Sequence, residues 1–228
     1  MINLEKYEER KKECRIVLDK FKLLSQKVAV KFIIDKSGSM DFLYMKNIVQ
    51  NTFERILPLA DLLDDDHTMQ VYSFNESCSY VGEANVNNAE GFINSNIRVG
   101  GGTNYAPIIK AILKSKTLIP TFAIVITDGD CWDKTETEKI IKEASKENIF
   151  FQFVGIGSEP KTFLQNLDNL SGRYIDNAGF CEIDNLENIS DIELYNLLIN
   201  ELPKWLDSYV TPPVEQNKKG FFNKLFGK

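Results

Sequence analysis

The stretch that decides the fold is Val28–Met40, VAVKFIIDKSGSM. Val28–Ile34 is almost continuously apolar, interrupted only by Lys31, and the run stops at Asp35. A short apolar run closed by a polar turn is the pattern of a strand buried on both faces of a parallel sheet. Lys36–Ser39 reads as the turn. Tyr44–Leu63 then takes up helical periodicity, with Ile48, Phe53, Ile56, Leu57 and Ala60 on one side. Pro58 is expected to bend or end that helix, because it has no N–H to donate.

The alternation continues outward from this stretch. Met69–Phe74 alternates like a strand, with Tyr80–Val81 as a short companion, and Asn85–Asn96 is irregular and Asn-rich. After the tight turn Gly100–Gly102, Ala106–Lys116 reads as a helix with Pro107 near its start, where proline is tolerated. Phe122–Thr127 is a strand ending at Asp128, Thr135–Lys146 a helix, and Ile149–Ile156 a strand. Thr162–Asn169 is a short helix, Tyr174–Ile183 a loop or strand, and Ile192–Leu206 a final helix. Strands alternating with helices at this spacing predict an α/β fold, doubly wound, with a mostly parallel central sheet and helices on both faces. Residues 1–26 contain an amphipathic segment, Leu4–Leu24, expected to pack on or extend a domain spanning 27–209. Residues 210–228 read as a Pro-containing linker followed by the short amphipathic end-piece GFFNKLFGK.

Composition narrows the function. The chain has 228 residues, 43% of them hydrophobic, and a formal net charge of -6. That is enough for one full α/β core. A net negative surface repels phosphate backbones, so nucleic acid is not an expected partner. Cys14, Cys78, Cys131 and Cys181 form no CxxC pair, and His67 is the lone imidazole. A structural zinc site would need such ligands to converge from distant places, so thiols in a reducing compartment are the expectation. Met1–Arg15 is mostly charged and no apolar run is long enough to span a bilayer, which points to the cytoplasm.

In an open parallel sheet, ligand sites collect at the carboxyl ends of the strands. Three polar loops leave or approach that edge. The first is Asp35-Lys-Ser37-Gly-Ser39, after a strand. The second is Gly-Gly-Gly-Thr103-Asn104, before a helix. The third is Thr127-Asp128-Gly129-Asp130, after another strand. Two carboxylates and several hydroxyls would meet there, and all are hard oxygen ligands. Mg²⁺ suits them, since it takes octahedral oxygen coordination, keeps several waters and uses only one or two carboxylates. Mn²⁺ and Ca²⁺ are the alternatives. The glycine run lacks the Lys of a phosphate-binding P-loop. Any one of these loops alone is more often a turn or helix cap than a metal site. Their combination in order is the specific signal.

These residues resemble a known family. Asp35-Lys-Ser37-Gly-Ser39, Thr103 and Asp128-Gly129 match the metal-ion-dependent adhesion site (MIDAS) of von Willebrand factor A (vWA) domains. DKSGSMDFLY, VQNTFERILPLADLLDDD, VYSFN, GGTNYAPI, ITDGD, FFQFVGIG, LDNLSGRYIDNAGF and DIELYNLLINELPKWL resemble the A-domain of TerF-type tellurium-resistance proteins, over roughly Val28–Leu206. The resemblance implies a vWA/Rossmann-like fold and a non-enzymatic, Mg²⁺-dependent protein-binding module of a stress-response system. It further implies Ser37 and Ser39 as direct ligands, Asp35 acting through water or as a support, and Thr103 and Asp128 binding directly or through water. A carboxylate from a protein partner would complete the coordination.

Other residues are weighed beside these. Asp41, Asp130 and Asp133 border the loops, and a solvated surface is the expectation for each. Trp132 either touches a partner near the metal face or packs on the following helix. Trp205 is expected in the core. Phe221, Phe222 and Phe226, with neighbouring lysines, are candidates for docking on a partner or, more weakly, touching a membrane surface. The enzymatic alternative is an Mg²⁺-dependent phosphatase or phosphotransferase of haloacid-dehalogenase type, which also places an Asp after a strand. That chemistry usually needs an acid two residues later, where this chain has Ser37. Direct sequestration of tellurite finds no support in a hard oxygen set.

Overall fold

The structure is a computed structural model and describes residues 2–157, 159 and 161–209. The candidate contact residues Phe221, Phe222 and Phe226 lie outside the described residues. Six strands form one sheet in the order β3-β2-β1-β4-β5-β6. They are β1 (Ala29–Asp35), β2 (Met69–Phe74), β3 (Cys78–Ala84), β4 (Thr121–Thr127), β5 (Ile149–Ile156) and β6 (Ala178–Ile183). All neighbours run parallel except the β2–β3 hairpin. Every residue of β1, β4 and β5 is buried, as strands covered on both faces must be.

Alternate residues of these strands feed two apolar layers. Phe32, Ile34, Phe122, Ile124 and Ile126 face one side, where α1 (Leu4–Lys20), α3 (Ile48–Leu63), α8 (Asp191–Ile199) and α9 (Leu202–Ser208) pack. Ile33, Ala123, Val125, Phe151 and Phe153 face the other, covered by α5 (Ala106–Lys114), α6 (Lys134–Ala144) and α7 (Thr162–Asp168). The doubly wound, mostly parallel α/β arrangement is therefore the one the sequence predicts. Helix α1 buries Tyr7, Cys14, Val17 and Leu18 against the first layer, and Trp205 lies in the same core. Two five-residue helices, α2 (Asp41–Met45) and α4 (Phe92–Asn96), also occur among the described residues.

The larger departures from the sequence reading lie in the helices. The helix expected from Tyr44 is split in two, because Asn47 takes a left-handed conformation (φ 58°) between α2 and α3. Pro58 does not end α3, which runs through it to Leu63. An internal proline costs about 3 kcal/mol, but Leu59, Ala60 and Leu63 beyond it are buried, and each large apolar side chain returns roughly 1.5–3 kcal/mol. The final helix is broken after Ile199, with Pro203 in the first turn of the new helix α9.

The one charged residue inside the apolar run, Lys31, is buried. Its Nζ donates to the Ser115 carbonyl (2.6 Å) and to the Ser115 hydroxyl oxygen (2.8 Å). Burial pulls its pKa down from 10.5 to about 8. Below pH 8 the folded state carries a desolvated ammonium. Between that value and 10.5 the unfolded chain binds more protons, so Lys31's contribution to stability rises with pH. Urea unfolding of wild type and Lys31→Met should therefore differ with pH. Wild type is expected to gain about 1 kcal/mol on the variant between roughly pH 7 and 9. A difference independent of pH would contradict this account of Lys31.

Candidate metal centre

The three polar loops come together at the carboxyl edge of β1 and β4. Asp35 ends β1 and is fully buried. Its Oδ1 accepts from the Ser37 amide (2.7 Å) and its Oδ2 from the Thr127 hydroxyl (2.6 Å). The Tyr44 hydroxyl donates to its carbonyl (2.9 Å). Ser37 is buried and Ser39 exposed, with their hydroxyl oxygens 3.2 Å apart. The Ser39 hydroxyl donates to Asp128 Oδ1 (2.9 Å), which joins the first loop to the third. Burial raises the Asp35 carboxyl pKa to about 6, against the opposing pull of the Thr127 and Ser37 hydrogen bonds. Burial also raises that of Asp128.

The second loop is laced to both others. Gly38 N–H donates to the Gly101 carbonyl (2.9 Å), and Gly100 N–H to the Lys36 carbonyl (2.7 Å). Thr103 is buried, its carbonyl accepts from the Trp132 amide (3.0 Å), and its hydroxyl makes no hydrogen bond among the described residues. Gly101 has φ 88°, a conformation that favours glycine. Gly102 is glycine for another reason: a Cβ there would run into the Trp132 ring. Trp132 itself is 76% exposed, so it lies against the second loop instead of packing under α6.

Several residues that hold this face were read differently or missed in the sequence. Asp133 is not a solvated rim: its carboxylate accepts from the amides of Tyr105 (3.0 Å) and Ala106 (2.8 Å) and from Thr137. It thus fixes the start of α5 from the third loop, and satisfies amides that a helix start leaves unpaired. Asp130 pairs with Lys134 (2.6 Å) and accepts from the Phe163 amide (3.2 Å). Asp41 is exposed, as expected. The buried Tyr105 hydroxyl donates to the Gly129 carbonyl and lies 3.2 Å from Thr127 Oγ1. From the β2–β3 turn, Asn75 Nδ2 donates to the Gly100 carbonyl (2.8 Å) and Glu76 accepts from the Gly102 amide (2.5 Å). Only the adjacency of Thr127 to Asp128 and of Tyr105 to Thr103 could have signalled any of these.

The donor set can be tested against an ion. Among the described residues no group of three or more His, Cys, Asp and Glu side chains converges to hold a metal. Cys14, Cys78, Cys131 and Cys181 are free thiols. The face offers two carboxylates and hydroxyl oxygens, a set that fits Mg²⁺ better than a soft metal. A buried carboxylate with no cationic side chain bonded to it is costly, and a nearby cation would offset that cost.

Comparison with known proteins shows the family and the fold. The model of the vWA domain found at the C terminus of TerF matches residues 27–214. The uncharacterized protein YcbR of Bacillus subtilis (strain 168) is 35% identical over 239 residues, covering 96% of this chain and 98% of that protein. Among solved structures, the D319A mutant of the PilB minor pilin from Streptococcus sanguinis superposes with a TM-score of 0.55 at 13% identity, over 81% of this chain and 64% of that one. Proximal thread matrix protein 1 (PTMP1) from the mussel byssus gives 0.56 at 14% identity, over 77% and 46%. A PTMP1 structure with a zinc-occupied MIDAS motif gives 0.53 at 14%, over the same shares. At these identities the likeness is one of fold, and this chain spans less than two thirds of each of those structures. Matched over most of its length by the family model and along nearly all of it by YcbR, the chain belongs to the vWA family of the type found at the C terminus of TerF.

Proposed function

We propose that this chain is a non-enzymatic protein-binding module whose grip depends on Mg²⁺, acting in the cytoplasm in a bacterial tellurium-resistance or related stress response. vWA domains often mediate protein interactions, and the TerF relationship supports the context. The single observation that carries the metal reading is the Ser37–Ser39–Asp128 chain of oxygens beside the buried Asp35. Ser37, Ser39, Thr103 and Asp128 would hold the ion, and Asp35 would support them, since both its oxygens already accept hydrogen bonds. A PTMP1 domain of similar fold with zinc in its MIDAS motif is a precedent for a divalent ion here.

When bound, the ion supplies a hard positive centre that an acidic oxygen from a partner can join. The protein's own part is to fix the hydroxyls by loop-to-loop bonds and to leave Ser39 facing solvent. The phosphatase reading is weaker. Its nucleophile would be Asp35, which is fully buried with both oxygens engaged, and Ser37 stands where an acid is needed. Affinity capture on the immobilised chain tests the proposal. One partner is expected to be retained with Mg²⁺ and lost both with chelator and on Asp35→Ala. Retention of the same partner in chelator would overturn it.

A further inference from the structure

Apart from the metal loops, α1, α3 and the segment leading into α8 border a cavity of about 350 Å³. That size lies within the range of small-ligand sites. Lys6 and Arg10 stand one turn apart on α1. Ile48 and Thr52, and Asn51 and Arg55, do the same on α3, so each helix turns one side to the cavity. Leu186, Ile189, Ser190 and Asp191 form the third wall.

The charges lining this cavity are unequally engaged. Lys6, Arg10 and Arg55 stand against Glu187 and Asp191. Arg55 is fully used, since its Nε pairs with Asp191 and its terminal nitrogens donate to the carbonyls of Leu186 and Ile189. Arg10 is only 8% exposed, yet its Nε makes no hydrogen bond among the described residues. Its Asp191 partner lies 3.4 Å away, so one carboxylate serves two buried guanidiniums. Lys6 is exposed at the mouth, and its side chain is in no ion pair among the described residues. Glu187 is exposed at the same rim. Glu13 is close enough to Arg55 and Asp191 to interact with both, but it does not line the cavity.

A buried guanidinium short of acceptors is costly, and an anion seated beside it offsets that cost. Other donors surround the position. Asn51 offers its amide, and the Ser190 hydroxyl, whose oxygen accepts from the Glu193 amide, keeps its proton for another acceptor. Donors arriving from three elements suit the three free oxygens of a phosphate monoester better than the two of a carboxylate. The buried Ile48 and Leu186 offer apolar surface to the rest of such a ligand. We propose that this cavity binds a small phosphate monoester, with Arg10 and Lys6 on the phosphate and Ile48 and Leu186 against the organic group. The chain's net charge of -6 supplies no long-range attraction, so affinity rests on these contacts.

Calorimetric titration of the full chain with phenyl phosphate, inorganic phosphate and phenol tests this, at fixed ionic strength and with chelator present to keep phosphate off any divalent ion. Phenyl phosphate is expected to bind saturably at one site, at least roughly 10-fold more tightly than either fragment, and to raise the unfolding temperature. Arg10→Gln should weaken it by at least roughly 10-fold, the cost of losing hydrogen bonds to a charged group. Lys6→Gln should weaken it by about 3-fold, as for an exposed charge. The Lys6 side chain supports nothing in the fold among the described residues, so this variant decides the matter even where Arg10→Gln does not fold. The inference would be overturned by no saturable binding of phenyl phosphate, or by inorganic phosphate binding as tightly. Affinity unchanged in Lys6→Gln or in a folded Arg10→Gln would overturn it as well.

Discussion

Replacing Arg55 with Ala is expected to destabilise the protein by about 3–5 kcal/mol, the cost typical of breaking a buried ion pair from one side. Arg55 lies in α3 and is buried. Its Nε pairs with Asp191, and its two terminal nitrogens donate to the carbonyls of Leu186 and Ile189, each at 2.6 Å. Arg10 of α1 also faces Asp191, at 3.4 Å. One guanidinium therefore ties α3 to the segment before α8, and the shared Asp191 extends the tie to α1. Alanine leaves two carbonyls and a partly buried carboxylate without their main donor. Lysine should rescue little, because an ammonium cannot make the planar fork. Urea unfolding checks this. A loss below about 1 kcal/mol, in the range of an exposed ion pair, would contradict it.

The second large effect is expected at the ion. Asp35→Ala should weaken Mg²⁺ binding by more than roughly 100-fold, beyond what loss of an outer support ordinarily costs. The reason is twofold. The variant removes one of the site's two carboxylates, and it releases the Ser37 amide and the Thr127 hydroxyl that Asp35 holds. Its effect on the ion-free fold should be much smaller. Leaving two donors unsatisfied costs roughly 1–3 kcal/mol each. Against that, the variant removes a buried carboxylate whose raised pKa of about 6 marks the penalty of keeping it charged. With a folded pKa above the usual value, that penalty is present at neutral pH and fades as pH falls through about 6.

How far the molecule was legible in its sequence depended on the kind of interaction. Strands covered on both faces announce themselves as apolar runs, and Ile149–Ile156 has the bounds read from the sequence, as does Met69–Phe74, whose signal is its alternation. The break at Asn47 turns on one backbone angle, and the passage of α3 through Pro58 turns on what Leu59 and Leu63 bury. Neither is a periodicity. The five candidate ligands were readable because each lies at the end of a strand or beside a glycine turn. The residues bracing them were not: Asp133, Asn75 and Glu76 act on the backbone of another loop, and no spacing encodes that. The stretch Asp176–Phe180, which carried no chemical reading, proves to lead into the edge strand. There Asn177 is buried and donates to the Ile141 carbonyl (3.2 Å), and a Cβ on Gly179 would crowd Gln152 and Glu201.

The central claim is that Asp35, Ser37, Ser39, Thr103 and Asp128 form a site for one hard divalent ion. Calorimetric titration of Mg²⁺ into wild type and Asp35→Ala, with thermal unfolding of both as a check on the fold, tests it most directly. The account predicts saturable binding of one ion to wild type and none to a folded Asp35→Ala. Equal binding by the two proteins, or no binding by wild type, would contradict it.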